Sequence, residues 1–260
     1  MTRKRTAIIT GGARGIGLAT AHAIAEADVH IVLVDLQAES LETAARSIDA
    51  SRRDVLHFAA DVTDETAARR IVADVVSQTG GIDILVNIAG GAGPKNLHLI
   101  DEIEPDVWDT VINLNLRSTY LWCREVFPTM RAQHYGRIVN TSSTIARGRH
   151  GPVGTAGARL PYAAAKAGIL GLTSQLAKDI GQFGITVNAV MPWLTLSEPG
   201  SRLRDRFENL SEDARNHIIG LSPMRRPAEA SEVAAAVAFL ASESAGFVSG
   251  VGLPVDGAFL

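Results

Sequence analysis

The stretch Thr6-Ala7-Ile8-Ile9-Thr10-Gly11-Gly12-Ala13-Arg14-Gly15-Ile16-Gly17 sets a short apolar run against a glycine-rich turn. The run at 6–10 reads as a buried strand, and residues 15–27 read as the helix that follows. Between them the glycines permit a tight turn and let the backbone approach a ligand closely. The helix start offers free N–H groups and the positive end of its dipole, which together make a cradle for a pyrophosphate. Strand, glycine turn and helix in that order open a βαβ unit.

Short apolar runs and longer helical stretches then alternate. Strands are expected at 29–34, 55–60, 82–86, 137–141 and 186–190, with helices at 38–50, 65–79, 107–133 and 160–183. Strands this apolar are buried on both faces, as in a parallel sheet covered by helices. The alternation predicts an α/β fold, a doubly wound parallel sheet with helices on both faces. No linker or composition shift divides the chain, so residues 1–260 read as a single domain. Residues 146–159, rich in Gly and Arg, and residues 193–226, polar with helix-like pieces, break the pattern. Both follow predicted strands, which places them at the carboxyl edge of the sheet, where ligands bind in open α/β folds.

Hydrophobic residues make up 46% of the 260, enough for a sizeable core, and the net charge is −3. A charge so small exerts no general pull toward nucleic acid or an anionic membrane. No apolar run approaches a membrane span. The N-terminal stretch shows no signal-peptide pattern. The single cysteine, Cys123, excludes an internal disulfide and fits a reducing compartment; it reads as a small buried hydrophobe. The chain is expected in the cytoplasm.

Asp35 ends the second strand, in Val32-Leu33-Val34-Asp35-Leu36. A carboxylate there accepts hydrogen bonds from both hydroxyls of an adenosine ribose and repels a 2′-phosphate, which argues for NAD over NADP. Arg14 is a counter-signal, because it can neutralise that phosphate. Asp35 outweighs it, since a carboxylate against a phosphate at ribose distance costs a few kcal/mol.

Tyr162 and Lys166 stand four residues apart in Pro161-Tyr162-Ala163-Ala164-Ala165-Lys166-Ala167-Gly168, a run of helix formers. On a helix both side chains share a face. A free phenol has a pKa near ~10. A neighbouring ammonium favours the phenolate and is expected to pull that value down, so that the Tyr can exchange a proton with an alcohol or carbonyl oxygen.

The spacing Gly11-x-x-x-Gly15-x-Gly17 together with the Tyr-x-x-x-Lys pair resembles the short-chain dehydrogenase/reductase family, and the resemblance extends over essentially the whole chain. It implies a Rossmann fold of about seven strands and a nicotinamide cofactor held by Gly11, Arg14, Gly15, Ile16, Gly17 and Asp35. Asp61-Val62 matches the family's adenine-holding pair. Asn87-Ile88-Ala89-Gly90 is similar to its Asn-Asn-Ala-Gly, with Ile88 in place of the second Asn. Asn87, Ala89 and Gly90 join the cofactor residues. Val255-Asp256-Gly257 resembles the closing strand and turn. Pro192 and Ser197 match the family's Pro-Gly-x-x-x-Thr, and Trp193 replaces its Gly. Trp193 either walls the nicotinamide or substrate pocket or simply packs.

The catalytic set implied is Asn115, Ser143, Tyr162 and Lys166. Asn115 would bend its helix and hold a water that links Lys166 to solvent. Ser143 would hydrogen-bond the reacting oxygen, with Ser142 the competing choice. Tyr162 would be the acid/base. Lys166 would tune it and bind the nicotinamide ribose. No metal is expected.

The leading reading is an NAD-dependent oxidoreductase moving hydride between nicotinamide and a secondary alcohol or ketone. An alternative is a 3-oxoacyl thioester reductase using NADPH, against which Asp35 speaks. A non-enzymatic nucleotide-sensing module would be expected to lack Ser143, Tyr162 or Lys166, and all three are here. The loop over 146–159 carries Arg147, Arg149, Arg159 and His150, which either grip a polar or anionic substrate or are solvated charges. Residues 203–220 are expected to form a lid. The resemblance further implies a homotetramer.

Overall fold

The computed structural model describes residues 3–25, 27, 29–49, 55–93, 99–148, 159–199 and 201–260. The strands are β1 (Thr6–Thr10), β2 (His30–Asp35), β3 (Val55–Ala59), β4 (Ile84–Asn87), β5 (Gly136–Thr141), β6 (Ile185–Pro192), β7 (Thr195–Leu196), β8 (Ala228–Glu229) and β9 (Gly252–Val255). The helices are α1 (Gly15–Ala25), α2 (Ala38–Ile48), α3 (Glu65–Thr79), α4 (Pro105–Ile112), α5 (Ser118–Gln133), α6 (Arg159–Ile180), α7 (Arg202–Glu208), α8 (Glu212–Gly220) and α9 (Ala230–Ala241). Seven strands form one sheet in the order β3-β2-β1-β4-β5-β6-β9, each pair parallel, while β7 and β8 pair separately. The order reverses between β1 and β4, where Thr10 and Asn87 are register partners. That reversal opens a crevice at the carboxyl ends of the strands.

Alternate residues of each strand feed two cores. Ile9, Ile31, Leu33, Val86, Val139 and Val190 pack with Leu41 of α2 and with Val233, Val237 and Leu240 of α9. Ile8, Val32, Leu85, Ile138 and Val187 pack with Ile71 and Val75 of α3, Trp122 and Val126 of α5, and Ile180 of α6. Burial on both faces is why the strands read as continuous apolar runs.

Two expectations need correction. The single helix expected over 107–133 is α4 and α5 joined by a π-helical turn at Asn113–Arg117. Pro105 starts α4 early, as its fixed φ suits a first helical turn. The break falls at Asn115, which is fully buried and whose side-chain amide donates to the Val111 carbonyl at 2.9 Å and the Gly91 carbonyl at 2.8 Å. Helix α9 had no counterpart in the sequence reading. Its Ala-rich run lacks a clear polar stripe, and burial against α1 and the sheet defines it, with a Glu229/Glu232 capping box at its start. Strand boundaries shift slightly: the run expected at 82–86 forms β4, and that at 186–190 extends to β6.

Candidate active site

Gly11 (φ +68°) and Gly15 (φ +57°) take left-handed backbone that side chains disfavour, so the chain can turn sharply out of β1. Gly17 is required by proximity: a Cβ there would lie 1.9 Å from the Gly11 carbonyl oxygen. A Cβ on Gly11 would meet the Ala89 nitrogen at 2.8 Å, so the turn packs on the segment after β4. Thr10 Oγ1 ties that segment down by accepting from Ile88 N at 3.2 Å and Ala89 N at 3.4 Å. Ile16 is half-buried against the first core, and Arg14 is exposed on the turn.

At the neighbouring strand ends, the Asp35 carboxylate accepts from Ala13 N at 3.2 Å and Leu36 N at 2.8 Å. It is half-buried beside the turn. After β3, Asp61 accepts from the backbone and hydroxyl of Thr63, both at 2.8 Å, and the Val62 carbonyl accepts from the buried Trp122 indole at 3.2 Å. Asn87 donates to Asn140 Oδ1 at 2.9 Å, while its own buried Oδ1 has no partner. A cradle that Cβ atoms would fill, a carboxylate at the end of β2 and an unpartnered buried acceptor at the switch point fit an adenine dinucleotide laid across the crevice.

The candidate catalytic set converges at the ends of β4 and β5. A Cβ on Gly90 would lie 2.5 Å from Asn115 Oδ1 and 3.4 Å from Lys166 Nζ, which brings these three together. Lys166 is buried and donates to the Thr141 carbonyl at 2.8 Å. Burial pushes its ammonium down to about 7. Its nitrogen stands 5.4 Å from the Tyr162 ring centre. The Ser143 hydroxyl neighbours the Tyr162 phenol, donates to the Pro192 carbonyl at 3.3 Å and accepts from Ile145 N at 3.3 Å. Ser142 faces elsewhere: its hydroxyl donates to the Lys166 carbonyl at 2.7 Å. Of the two serines, Ser143 therefore meets the phenol.

One expectation is overturned. Tyr162 is pushed up to about 12 by burial, with the Ser143 hydrogen bond the opposing influence. Lys166 is not among the influences on the phenol, and desolvation lowers the ammonium itself.

Trp193 is buried and stacks on Phe259, with ring centres 5.2 Å apart and planes at 17°. It packs against the C-terminal residues. Ser197 leans over the glycine turn: a Cβ on Gly15 would come 2.8 Å from its hydroxyl oxygen. Helices α7 and α8 lie in the region expected as a lid. Arg147 is exposed at the end of a short 3-10 turn, and the Arg149 and His150 portion of that loop lies outside the described residues.

Fold and site together define an oxidoreductase that works with a nicotinamide dinucleotide on a CH–OH or keto group. The chain belongs to the short-chain dehydrogenase/reductase family, and a family model described as enoyl-(acyl carrier protein) reductase matches residues 11–259. It is 36% identical over 255 residues to the acetoacetyl-CoA reductase of Allochromatium vinosum, covering 97% of each chain. It is 35% identical over 258 residues to the levodione reductase of Leifsonia aquatica, covering 97% of this chain and 93% of that one. A crystal structure of levodione reductase superposes with a TM-score of 0.86 at 33% identity, covering 99% of this chain and 98% of the other. No helix among the described residues is long and apolar enough to cross a membrane.

Several contributors were not legible beforehand. Thr141 acts through its backbone carbonyl, which carries no residue signature. Thr10 and Trp122 read as ordinary strand and core residues. Glu198, whose carboxylate accepts from Gly15 N at 3.0 Å, is separated from that turn by most of the chain.

Proposed function

We propose that this chain is an NAD-dependent dehydrogenase or ketone reductase of secondary alcohols, with Tyr162 as acid/base and Ser143, Lys166 and Asn115 in support. The observation that carries the reading is the Tyr162 phenol beside the Ser143 hydroxyl, with the buried Lys166 side-chain nitrogen 5.4 Å from its ring. When bound, the nicotinamide supplies the hydride acceptor or donor. Gly11, Gly15, Gly17, Asp35, Asp61, Val62, Asn87, Ala89, Gly90, Pro192 and Ser197 are the residues that would hold it, with Arg14 and Ile16 beside them.

In reduction, the protonated Tyr162 donates its proton to the carbonyl oxygen as that oxygen gains charge. Ser143 donates a hydrogen bond to the same oxygen. In oxidation, the phenolate takes the hydroxyl proton. A phenol held near 12 favours the donor role in the chain alone. Positive charge brought beside Tyr162 stabilises the phenolate that oxidation needs. Lys166, beside the Tyr162 ring and tied to the Thr141 carbonyl, is placed to bind the nicotinamide ribose. Asn115 holds Gly91 and the π-helical turn in place behind Lys166.

The half-buried Asp35 supports NAD, because a 2′-phosphate would be set against its carboxylate. Similarity to an acetoacetyl-CoA reductase supports a second reading, a 3-oxoacyl thioester reductase using NADPH. The enzyme is further inferred to be a cytoplasmic homotetramer. Calorimetric titration with NAD(H) and NADP(H), then a screen of alcohols, ketones and 3-oxoacyl thioesters, tests both readings. Tighter NADP(H) binding with thioester turnover would replace the first reading by the second.

A further inference from the structure

The amide of Gly15, the first residue of α1, donates to Glu198 Oε2 at 3.0 Å. A helix's first N–H groups have no partner within the helix, and this one lies on the turn that would cradle the pyrophosphate. A carboxylate of the chain itself therefore sits where an anionic ligand is expected. The segment carrying it is anchored. Arg204 of α7 donates from Nε to the Ser197 carbonyl and from Nη2 to Glu229 Oε2 at 2.9 Å, and its guanidinium lies 3.6 Å from Glu208.

We propose that Glu198 is an internal competitor for the cofactor's phosphates. Its carboxylate holds the Gly15 amide and has to leave before a pyrophosphate can take that amide. Two anions cannot share one N–H, and the positive end of a helix dipole favours whichever of them is closer. Glu198 is exposed, so it competes at the solvent-facing side of the turn and is free to swing away. It thus sets the affinity for phosphate-bearing nucleotides without touching adenine, ribose or the reacting carbon. The proposal rests on the dinucleotide reading above.

The test is calorimetric binding of NADH, ADP and adenosine to the wild type, Glu198→Gln and Glu198→Ala. Glutamine keeps an acceptor for the amide and removes only the charge, whereas alanine removes both. Both variants are expected to bind ADP and NADH about fivefold or more tightly than the wild type, the size of one like-charge repulsion in water-like surroundings. Adenosine, which has no phosphate, is expected to bind all three alike. Tightening in Glu198→Ala alone still supports competition, carried by the hydrogen bond rather than by charge. Unchanged or weaker ADP binding in both variants, with NADH still bound by the wild type, overturns the proposal and leaves the cofactor reading standing. No binding of NADH, NADPH or ADP by any of the three folded proteins overturns both.

Discussion

The ammonium of Lys166 stands 5.4 Å from the centre of the Tyr162 ring, yet its hydrogen bond goes to the Thr141 carbonyl at 2.8 Å. The two side chains are neighbours without being an ion pair. Desolvation works against charge on both, although Tyr162 is only half-buried: the phenol is pushed up to about 12 and the ammonium down to about 7.

The first consequence concerns the phenol. An ordinary tyrosine is more than half ionised by about pH 10.5. Tyr162 is expected to stay protonated there, so wild type and Tyr162→Phe should show equal tyrosinate absorbance at that pH. A larger signal in the wild type would mean that the phenol is not held up by burial. The same variant should lose about 10²- to 10⁴-fold in kcat, the usual worth of a positioned acid/base. Full turnover by Tyr162→Phe would remove Tyr162 from that role.

The second concerns stability. From about pH 7 to pH 10.5 the unfolded chain holds a proton on Lys166 that the folded chain has released. The contribution of Lys166 to stability therefore grows as pH rises through this window and fades as pH falls toward 7. Melting temperatures of wild type and Lys166→Met should diverge in favour of the wild type between pH 7 and pH 9. Parallel curves would show that the lysine keeps its proton when buried. Tyr162 acts with the opposite sign and later: its contribution is complete below about pH 10 and is lost as pH rises toward 12.

The third concerns the π-helical turn. Asn115 is fully buried, donates to the Gly91 and Val111 carbonyls and accepts from the Gly91 amide at 3.2 Å. Asn115→Leu strands the Gly91 groups and should cost about 1–3 kcal/mol in urea unfolding, the range for an unsatisfied buried polar group. Because Gly90 lies between Asn115 and Lys166, turnover should fall as well. An unchanged midpoint and unchanged turnover would show that the turn does not depend on this side chain.

Much of the architecture was legible because it is local. The alternating strands, the glycine turn and Asp35 each announce themselves within about ten residues, through side-chain period and backbone freedom. Asn115 was legible through its match to the family's helix-bending Asn, although the form of that bend, a π-helical turn, was not foreseen. Helix α9 was missed because its identity comes from what covers it. The choice between Ser142 and Ser143 needed the structure, since adjacent residues leaving a strand point in opposite directions and spacing alone cannot say which meets the phenol.

By itself the sequence determined the alternation of β1 to β6 with the helices between them, the glycine turn after β1 and the placing of Tyr162 and Lys166 on one helical face. These follow from near-neighbour geometry. Only the tertiary structure decided that Thr141 receives the Lys166 ammonium, that Trp193 stacks on Phe259 and that Glu198 reaches Gly15. It also reversed the expected direction of the Tyr162 shift. The physical reason is that all four depend on which distant segments meet, and the Lys166, Trp193 and Tyr162 findings also on desolvation, neither of which is written in residue spacing.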